Sequence, residues 1–336
     1  MSGTYRAIQL QRFAPSFREA TGIVELPVEA PGPGEIRVSN HWTGVNGIFD
    51  TQLSRDAFDY LDIKPPTFMG VESVGIVDAI GAGVTEFAVG DAAAATRFPG
   101  GYREMHTAPA STFAKCPDAS AETLALASTG VAALLVLETA GRLQDGETVA
   151  ISAAAGGLGH LAVQIAKLRG CRVVAVCGGP DKAALVRSLG ADRVIDYKSE
   201  DIATVLAAEF PNALDVAVDT VGGTVFDAFL DNLAPHGRLA VSGAASDMGD
   251  EPDAQVRPRL PLGFYYKSAT IAAFQNGRVQ RHWPEARARL FAMRERLTVI
   301  CDKRFTGLAS AYDAVEQLLS GQTRGKVVVD LTPRQA

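Results

Sequence analysis

The stretch from Asp145 to Tyr197 reads DGETVAISAAAGGLGHLAVQIAKLRGCRVVAVCGGPDKAALVRSLGADRVIDY, and it decides the fold. Its segment TVAISA at 148–153 is a short apolar run with β-branched residues, which is typical of a buried parallel strand. A cluster of glycines follows, and after it apolar residues recur at helical spacing. A second buried run, Arg172–Val176, completes a strand–helix–strand unit, whose crossover we expect to be right-handed.

The glycine cluster predicts a dinucleotide-binding turn. The pyrophosphate of a dinucleotide binds to backbone N–H groups at a helix N-terminus, where a Cβ pointing at the phosphates would block its approach. In the usual fingerprint, G-x-G-x-x-G, the first position is Ala154 here, Gly156 and Gly159 hold the other two, and Gly157 lies between them. A tight turn without a ligand is the alternative, but the flanking strand and helix favour the dinucleotide.

The residues after the second strand indicate which dinucleotide binds. An NAD site usually has Asp or Glu there to accept hydrogen bonds from the ribose hydroxyls, whereas this chain has CGGP at 177–180. Without a carboxylate at this point, a 2′-phosphate meets no like charge. Lys182, with Arg187, supplies positive charge and Tyr197 supplies a hydroxyl, although a solvated helix position is the alternative for Lys182. Gly178, at the end of the second strand, is expected to belong to the same cofactor site. We therefore predict NADPH as the cofactor.

The composition excludes several classes of protein. A chain of 336 residues is long for one domain and sufficient for two, and 47% hydrophobic with 21% charged residues is typical of an ordered globular protein. The net charge of −6 argues against nonspecific binding to nucleic acid or anionic membranes. We find no apolar stretch as long as a membrane span and no signal-peptide core at the N-terminus. A cytoplasmic protein without nucleic-acid or membrane partners is expected.

The chain resembles the zinc-free quinone and enoyl reductases of the medium-chain dehydrogenase/reductase superfamily. KPP at 64–66, followed by GVESVGIV, most resembles the prostaglandin reductase branch. The segments that carry the resemblance cover nearly the whole chain: GVN at 44–46, VGIVDAIGAGVTEFAVGD at 74–91, AAAGGLGHLAVQIAK at 153–167, LGADRVIDY at 189–197, VDTVGG at 218–223 and TRGKVVVDL at 323–331.

The resemblance implies the fold. It is an α/β fold, with a doubly wound Rossmann cofactor domain and a discontinuous, mostly β, GroES-like partly open barrel domain. We place the barrel-like domain at 1–127 and 272–336 and the Rossmann domain at 128–271. Two helices are expected in the alanine- and leucine-rich run 121–141. The resemblance also implies a homodimer formed by pairing of sheet edges, with SATIAAFQ at 268–275 as the candidate edge strand.

Metal chemistry is not expected. Zinc enzymes of the superfamily carry a His in a G-H-E triplet, and here Val71 stands in its place. The five histidines show no ligand spacing, and the cysteines are scattered and expected to be free thiols. These cysteines are Cys116, Cys171, Cys177 and Cys301.

The family reaction is hydride transfer from NADPH to the β-carbon of an α,β-unsaturated carbonyl, such as an enone, a 2-alkenal or an oxo-lipid. The substrate is thus a small-molecule electrophile. The protein must orient the cofactor and stabilise the enolate. Asn46 matches the Asn of the family's G-V-N motif beside the nicotinamide, although a turn residue before Gly47 is the alternative. Quinone reduction is the nearest other activity, and an NADPH-binding sensor without turnover is a further one.

Other candidate site residues follow from the resemblance and from the strand pattern. Tyr265 and Tyr266 are candidate proton donors because a phenol stays neutral at neutral pH, with aromatic packing as the alternative. Ser242 and Gly243 lie at the carboxyl end of a strand, where open α/β sheets bind ligands. The resemblance implies that Phe274 and Asn276 follow the strand at which relatives line the nicotinamide pocket.

The chain departs from the family pattern near the nicotinamide. Relatives often have an Asp three residues after the Asn of G-V-N; Phe49 stands there, and Asp50 follows. Many relatives have a Thr where Ala132 falls, and Ser128 or Thr129 is the expected substitute.

Overall fold

The computed structural model describes residues 3–58, 60–248 and 262–332. The chain divides into two compact units, of which the first is Met1–Thr129 with Ile300–Ala336 and the second is Gly130–Val299. The first unit is therefore discontinuous.

The described residues form strands and helices that are numbered here in chain order. The strands are β1 (Thr4–Leu10), β2 (Thr21–Pro27), β3 (Glu35–Gly44), β4 (Thr67–Phe68), β5 (Glu72–Ile80), β6 (Ala92–Ala95), β7 (Met105–Pro109), β8 (Phe113–Cys116), β9 (Thr148–Ile151), β10 (Arg172–Cys177), β11 (Arg193–Asp196), β12 (Leu214–Asp219), β13 (Leu233–Val241), β14 (Thr270–Ala273), β15 (Cys301–Thr306) and β16 (Lys326–Asp330). The α-helices are α1 (Phe17–Ala20), α2 (Gly47–Ser54), α3 (Ala121–Ala125), α4 (Val131–Leu135), α5 (Gly159–Leu168), α6 (Pro180–Ser188), α7 (Ile202–Glu209), α8 (Gly223–Asp231), α9 (Leu262–Tyr266), α10 (Trp283–Ala292) and α11 (Ala311–Leu319).

The second unit is built on a parallel sheet. Its strands lie in the order β11-β10-β9-β12-β13-β14, and every neighbouring pair is parallel. The order reverses between β9 and β12, which is the switch point at which open α/β sheets bind ligands. The centre of β9, Val149–Ile151, is fully buried, as expected for a strand covered on both faces. This sheet confirms the predicted doubly wound fold.

The second boundary between the units lies later in the chain than the predicted one. β14 pairs in parallel with Arg238–Val241 of β13, and α10 contacts α4. Residues 272–299 therefore belong to the parallel-sheet unit, and the divisions fall at 129/130 and 299/300 rather than at 127/128 and 271/272. Among the described residues, β14 has only β13 as a neighbour, so it is an edge strand.

The alanine- and leucine-rich run forms one continuous helical segment, Ala121–Ala140, rather than two helices. Wider, π-helical turns at Leu126–Gly130 and Val136–Ala140 follow α3 and α4. By length and composition the segment could cross a membrane, which corrects the expectation that no stretch is long enough. However, 72% of its apolar window is buried inside the protein, as in a core helix.

The first unit is mostly β-structure. β1 is the centre of a small antiparallel sheet, β2-β1-β4, and a larger sheet runs β15-β16-β3-β5-β6-β8, with β7 also paired to β3. Because β3 pairs with β5, β7 and β16, it ties the amino-terminal strands to the end of the chain. This arrangement agrees with the predicted partly open barrel.

Candidate active site

The glycine turn between β9 and α5 leaves backbone donors at the start of the helix. The Gly156 N–H donates to the Ala153 carbonyl oxygen at 2.8 Å, which closes the turn. The next N–H groups, those of Gly157, Leu158 and Gly159, meet no acceptor in the described parts of the chain, and no side chain caps the helix. Unpaired N–H groups at a helix N-terminus are suited to a phosphate.

Close packing explains two residues of the fingerprint. A Cβ on Gly159 would lie 2.4 Å from the Ala153 oxygen and 2.6 Å from the Ala154 Cα, so only glycine fits without a backbone shift. Ala154 is itself fully buried, and its N–H donates to the Val176 oxygen at 2.9 Å. The Cβ of Ala154 therefore lies in the core, which is how this chain accommodates alanine at the first fingerprint position.

The predicted 2′-phosphate residues gather at the end of β10. A Cβ on Gly178 would lie 2.5 Å from the hydroxyl oxygen of Tyr197, so the glycine allows this ring to pack over the strand end. Burial raises the pKa of the Cys177 thiol to about 11, while the positive charges of Lys182 and Arg187 act in the opposite direction. Both cations lie on α6, the helix that follows β10.

One acid near this position was missed by the sequence reasoning. Asp196 ends β11, and its Oδ1 accepts hydrogen bonds from the Gly179 N–H at 2.7 Å and the Lys198 N–H at 3.1 Å. These two hydrogen bonds, and the charges of Lys198 and Arg187, lower the pKa of Asp196. The signal was present in the sequence, because an Asp at the end of the third buried strand lies at the same edge of the sheet.

The remaining strand ends of the second unit meet at this edge. The Ser242 N–H donates to the Asp219 oxygen at 2.7 Å, and a Cβ on Gly243 would lie 3.0 Å from the Thr220 oxygen. Phe274, which is buried, donates its N–H to the last residue of β13 at 2.7 Å. The structure therefore brings Ser242, Gly243 and Phe274 to the carboxyl edge of the sheet that carries the glycine turn.

The structure does not support three other expectations for the second unit. Tyr265 and Tyr266 are 75% and 73% exposed, with ring centroids 5.6 Å apart. A phenol in solvent is not held against a reacting atom, so neither ring has the environment of an enclosed proton donor. The Asn276 side chain accepts a hydrogen bond from Trp283 Nε1 at 3.0 Å, which commits its oxygen to packing.

Asn46 lies in a buried polar cluster of the first unit. Lys326 Nζ donates to Asn46 Oδ1 at 3.0 Å and to the Val45 oxygen at 2.9 Å. The same ammonium group forms an ion pair with Glu72 Oε1 at 2.5 Å, although both side chains are almost wholly buried, at 4% and 2% exposure. Asn46 Nδ2 is also buried, and it has no acceptor in the described segments.

Ser128 takes part in the same cluster. Its hydroxyl donates to Glu72 Oε2, so its hydrogen is used inside the protein. Thr129 is the next residue and is half-buried. Ser128 is one of the two expected substitutes for a Thr at position 132. Because its hydrogen is already used, it can only accept a hydrogen bond from a ligand.

Asp50 faces the core. Its Oδ2 accepts hydrogen bonds from the Tyr102 hydroxyl at 2.6 Å and from the Asn46 N–H at 3.2 Å, and both Asp50 and Tyr102 are fully buried. Burial raises the pKa of Asp50 to about 7 against the opposing effect of the Tyr102 hydrogen bond. Phe49 occupies the position of the family's Asp, and one residue is a rotation of about 100° around a helix. The Asp50 side chain is therefore turned by about 100° from the direction that the family's Asp would take.

Phe49 belongs to a small aromatic cluster. Its ring stacks on Phe58 at 5.1 Å between centroids and meets Phe98 edge-on at 5.9 Å. Phe58 also contacts Tyr60 at 5.3 Å. These rings pack against one another, and Tyr60 remains 46% exposed.

In residues 3–58, 60–248 and 262–332, no three His, Cys, Asp or Glu side chains form a group that could bind a metal ion. Val71, in the position of the zinc-binding His, precedes β5.

Two family models match the chain, one in each unit. Residues 32–118 match the alcohol dehydrogenase GroES-like domain, and residues 157–292 match the family described as zinc-binding dehydrogenase. The chain belongs to the medium-chain dehydrogenase/reductase superfamily. Prostaglandin reductase-3 of Mus musculus is 36% identical over 98% of this chain and 90% of its own length. A probable quinone oxidoreductase of Leishmania amazonensis is 32% identical over 97% of this chain and 98% of its own.

Solved structures resemble the whole chain. A mycobacterial protein complexed with NADPH has a TM-score of 0.83 and 30% identity, over 97% of this chain and 99% of its own. The Escherichia coli quinone oxidoreductase complexed with NADPH has a TM-score of 0.82 and 25% identity over the same shares.

Proposed function

We propose that this protein is a zinc-independent NADPH-dependent reductase that reduces the C=C bond of an α,β-unsaturated carbonyl compound. The observation that carries the proposal is the buried Nδ2 of Asn46, a neutral donor whose partner is not found in the described part of the protein. A buried donor without an acceptor costs about 1–3 kcal/mol, which a ligand oxygen would offset. The relatives named prostaglandin reductase-3 and quinone oxidoreductase support this class of reaction.

The residues at the sheet edge fit NADPH. The unpaired N–H groups of residues 157–159 would hold the pyrophosphate. Lys182 and Arg187, beside Gly178 and Tyr197, would hold the 2′-phosphate, because a phosphate binds where cations and donors converge. When bound, NADPH supplies the hydride. Ser242, Gly243 and Phe274 would contact the cofactor from the last strands.

Asn46 would act on the substrate oxygen. Reduction of the C=C bond places negative charge on the carbonyl oxygen, and a preorganised donor aimed at that oxygen stabilises the transition state. Loss of one such donor lowers kcat by about 10²–10³-fold in other enzymes. Tyr102 is buried and donates its hydroxyl hydrogen to Asp50, so we propose that water, rather than this phenol, supplies the proton.

The aromatic cluster supports an apolar substrate. Phe49 lies one helical turn from Asn46, and it replaces the charged residue that relatives often carry there. An enone, a 2-alkenal or an oxo-lipid would place its hydrocarbon part against such rings. Quinone reduction is the second candidate, since a flat ring could stack on the same cluster and its oxygen could accept from Asn46.

The test is oxidation of NADPH, followed by its absorbance, with trans-2-alkenals, an α,β-unsaturated ketone and 1,4-naphthoquinone. We expect enone turnover with NADPH, a large loss of kcat in Asn46→Ala, and much slower turnover with NADH. Turnover of the quinone alone would replace the proposal with the second candidate. Tight NADPH binding without turnover of any electrophile would indicate a sensor instead.

We also propose a homodimer formed through β14. One edge of β14 pairs with no strand among the described residues, and the exposed Tyr265 and Tyr266 come a few residues before it; both observations support this surface. Light scattering should then show a dimer for the native chain and a monomer for the Tyr265→Glu/Tyr266→Glu variant, and a monomeric native chain would exclude it.

A further inference from the structure

We infer that Lys326 is a positioning residue that fixes the carboxamide of Asn46 in one orientation. This inference rests on the proposed role of Asn46 as the donor to the substrate. Lys326 Nζ donates hydrogen bonds to the Val45 oxygen at 2.9 Å and to Asn46 Oδ1 at 3.0 Å, and it forms an ion pair with Glu72 Oε1 at 2.5 Å without hydrogen-bond geometry. An ammonium group has donors and no acceptor, so each group that faces it must be an acceptor or an anion.

The chemistry of Lys326 decides which way the amide faces. Only an acceptor can face the ammonium group, so Asn46 must present Oδ1 to it. The flipped amide would place its own NH₂ donors against Nζ and leave Oδ1 on the other side. Lys326 therefore directs Nδ2 away from itself, toward the side on which no described residue accepts a hydrogen bond. A carbonyl oxygen of a ligand is the acceptor that this orientation selects.

Glu72 and Ser128 hold the ammonium group in place. Glu72 pairs with Nζ through Oε1, and its Oε2 accepts from the Ser128 hydroxyl, so the carboxylate has little freedom to rotate. The pair is buried and neutral overall. Asn46 therefore donates as a neutral group with a fixed geometry, which is what electrostatic preorganisation requires.

The chain contains a matched control in an exposed ion pair. Lys303 on β15 pairs with Glu122 at 2.6 Å, but these side chains are 42% and 41% exposed. Within the described residues, the Lys303 ammonium has Glu122 as its hydrogen-bond partner and also lies over the ring of Trp42, but it contacts no carboxamide. Lys303→Met thus removes a lysine of the same kind from the same unit without touching Asn46.

The first test is a double-mutant cycle on single-turnover hydride transfer to an enone. Lys326→Met alone would leave Glu72 charged and buried, so the variant to use is Lys326→Met/Glu72→Gln, with the melting temperature as a folding check. We expect it to slow transfer by about tenfold or more in the native background, and by less than about twofold when Asn46 is already Ala. Equal slowing in both backgrounds would mean that Lys326 acts through structure in general and would overturn the inference.

The second test needs no turnover. The chain has five asparagines, so selective ¹⁵N-Asn labelling yields five side-chain NH₂ signals, and Asn46→Asp identifies the one from Asn46. We expect this signal to shift and broaden in Lys326→Met/Glu72→Gln, and to stay unchanged in Lys303→Met. An unchanged Asn46 signal in the first variant would overturn the inference. If the native protein reduces no enone, the proposed function fails. The side-chain NH₂ signal of Asn46 still tests the role of Lys326 in that case.

Discussion

The glycine turn of the second unit and the polar cluster of the first unit are built in different ways. The turn uses backbone N–H groups of neighbouring residues, and its shape depends on the absence of side chains, as at Gly159. The cluster uses side chains from distant parts of the chain, and Asn46 and Lys326 are 280 positions apart. The turn is therefore a local structure that the sheet supports, whereas the cluster exists only when the whole unit is folded.

The two regions also differ in how they treat charge. The cations beside β10 act at a partly exposed strand end, whereas the Lys326–Glu72 pair is buried. A buried pair is costly to break because the remaining charge has no partner, while exposed pairs contribute little. Substitutions in the cluster should therefore affect stability more than substitutions at the cofactor edge.

The largest effect is expected from Lys326→Met. It leaves Glu72 charged in the core, so the free energy of unfolding should fall by about 3–5 kcal/mol. Lys303→Met, the exposed control, should cost less than about 1 kcal/mol. Urea unfolding measures both, and the added Glu72→Gln should restore most of the loss. If both substitutions lowered the free energy of unfolding equally, the difference in burial between the two ion pairs would not affect stability.

The next effect concerns the pH dependence of stability. Burial raises the pKa of Asp50 from 3.8 to about 7, so between these values the folded protein holds a proton that the unfolded chain has lost. The contribution of Asp50 to the free energy of unfolding is complete below about pH 4. It is lost as the pH rises to about 7, by at most about 1.4 kcal/mol per pH unit. The difference in unfolding free energy between the native protein and Asp50→Asn should follow this course.

Asp196 of the second unit should change the stability with pH in the opposite direction to Asp50. Hydrogen bonds from the Gly179 and Lys198 N–H groups lower its pKa, so its contribution is present above its ordinary pKa and is lost as the pH falls through the lowered one. Asp196→Asn should therefore remove stability near neutral pH and change little in strong acid. If both aspartates gave the same slope with pH, the contrast between the regions would be wrong.

A smaller effect on stability, with a large effect on binding, is expected at the glycine turn. Gly159→Ala places a methyl group 2.4 Å from the Ala153 oxygen, so the turn must shift, at a cost of about 1–3 kcal/mol. Fluorescence titration should show NADPH affinity reduced by more than about tenfold. Gly156→Ala is the matched control for stability, because its methyl group would meet only the Ala153 oxygen, at 3.1 Å. A smaller loss of stability at Gly159 than at Gly156 would contradict the packing explanation.

The smallest effect is expected from Lys182→Ala. Loss of one cation from the end of β10 should raise the KM for NADPH by about tenfold and leave the KM for NADH unchanged. It should also raise the pKa of the Cys177 thiol further, since Lys182 opposes the effect of burial there. Thiol titration provides this second measurement, and an equal change for both nucleotides would exclude a 2′-phosphate contact.

Local patterns were enough to predict the cofactor unit. Strand, glycine turn and helix follow one another between Thr148 and Leu168, and each of these elements forms where its own residues favour it. The residues at the strand ends could also be predicted, because parallel strands present their carboxyl ends at one edge. The exposed Tyr265 and Tyr266 could not, since a pattern of aromatic residues does not reveal what packs on them.

The sequence by itself determined the βαβ unit, the glycine turn and the missing acid after β10, because these features depend on neighbours in the chain. Only the tertiary structure decided that Asp50 faces Tyr102, that Lys326 reaches Asn46, and that residues 272–299 belong to the unit with the parallel sheet. The physical reason is that the orientation and the hydrogen bonds of a buried polar group depend on the groups that surround it. Those partners come from strands and helices that meet only after the chain has folded.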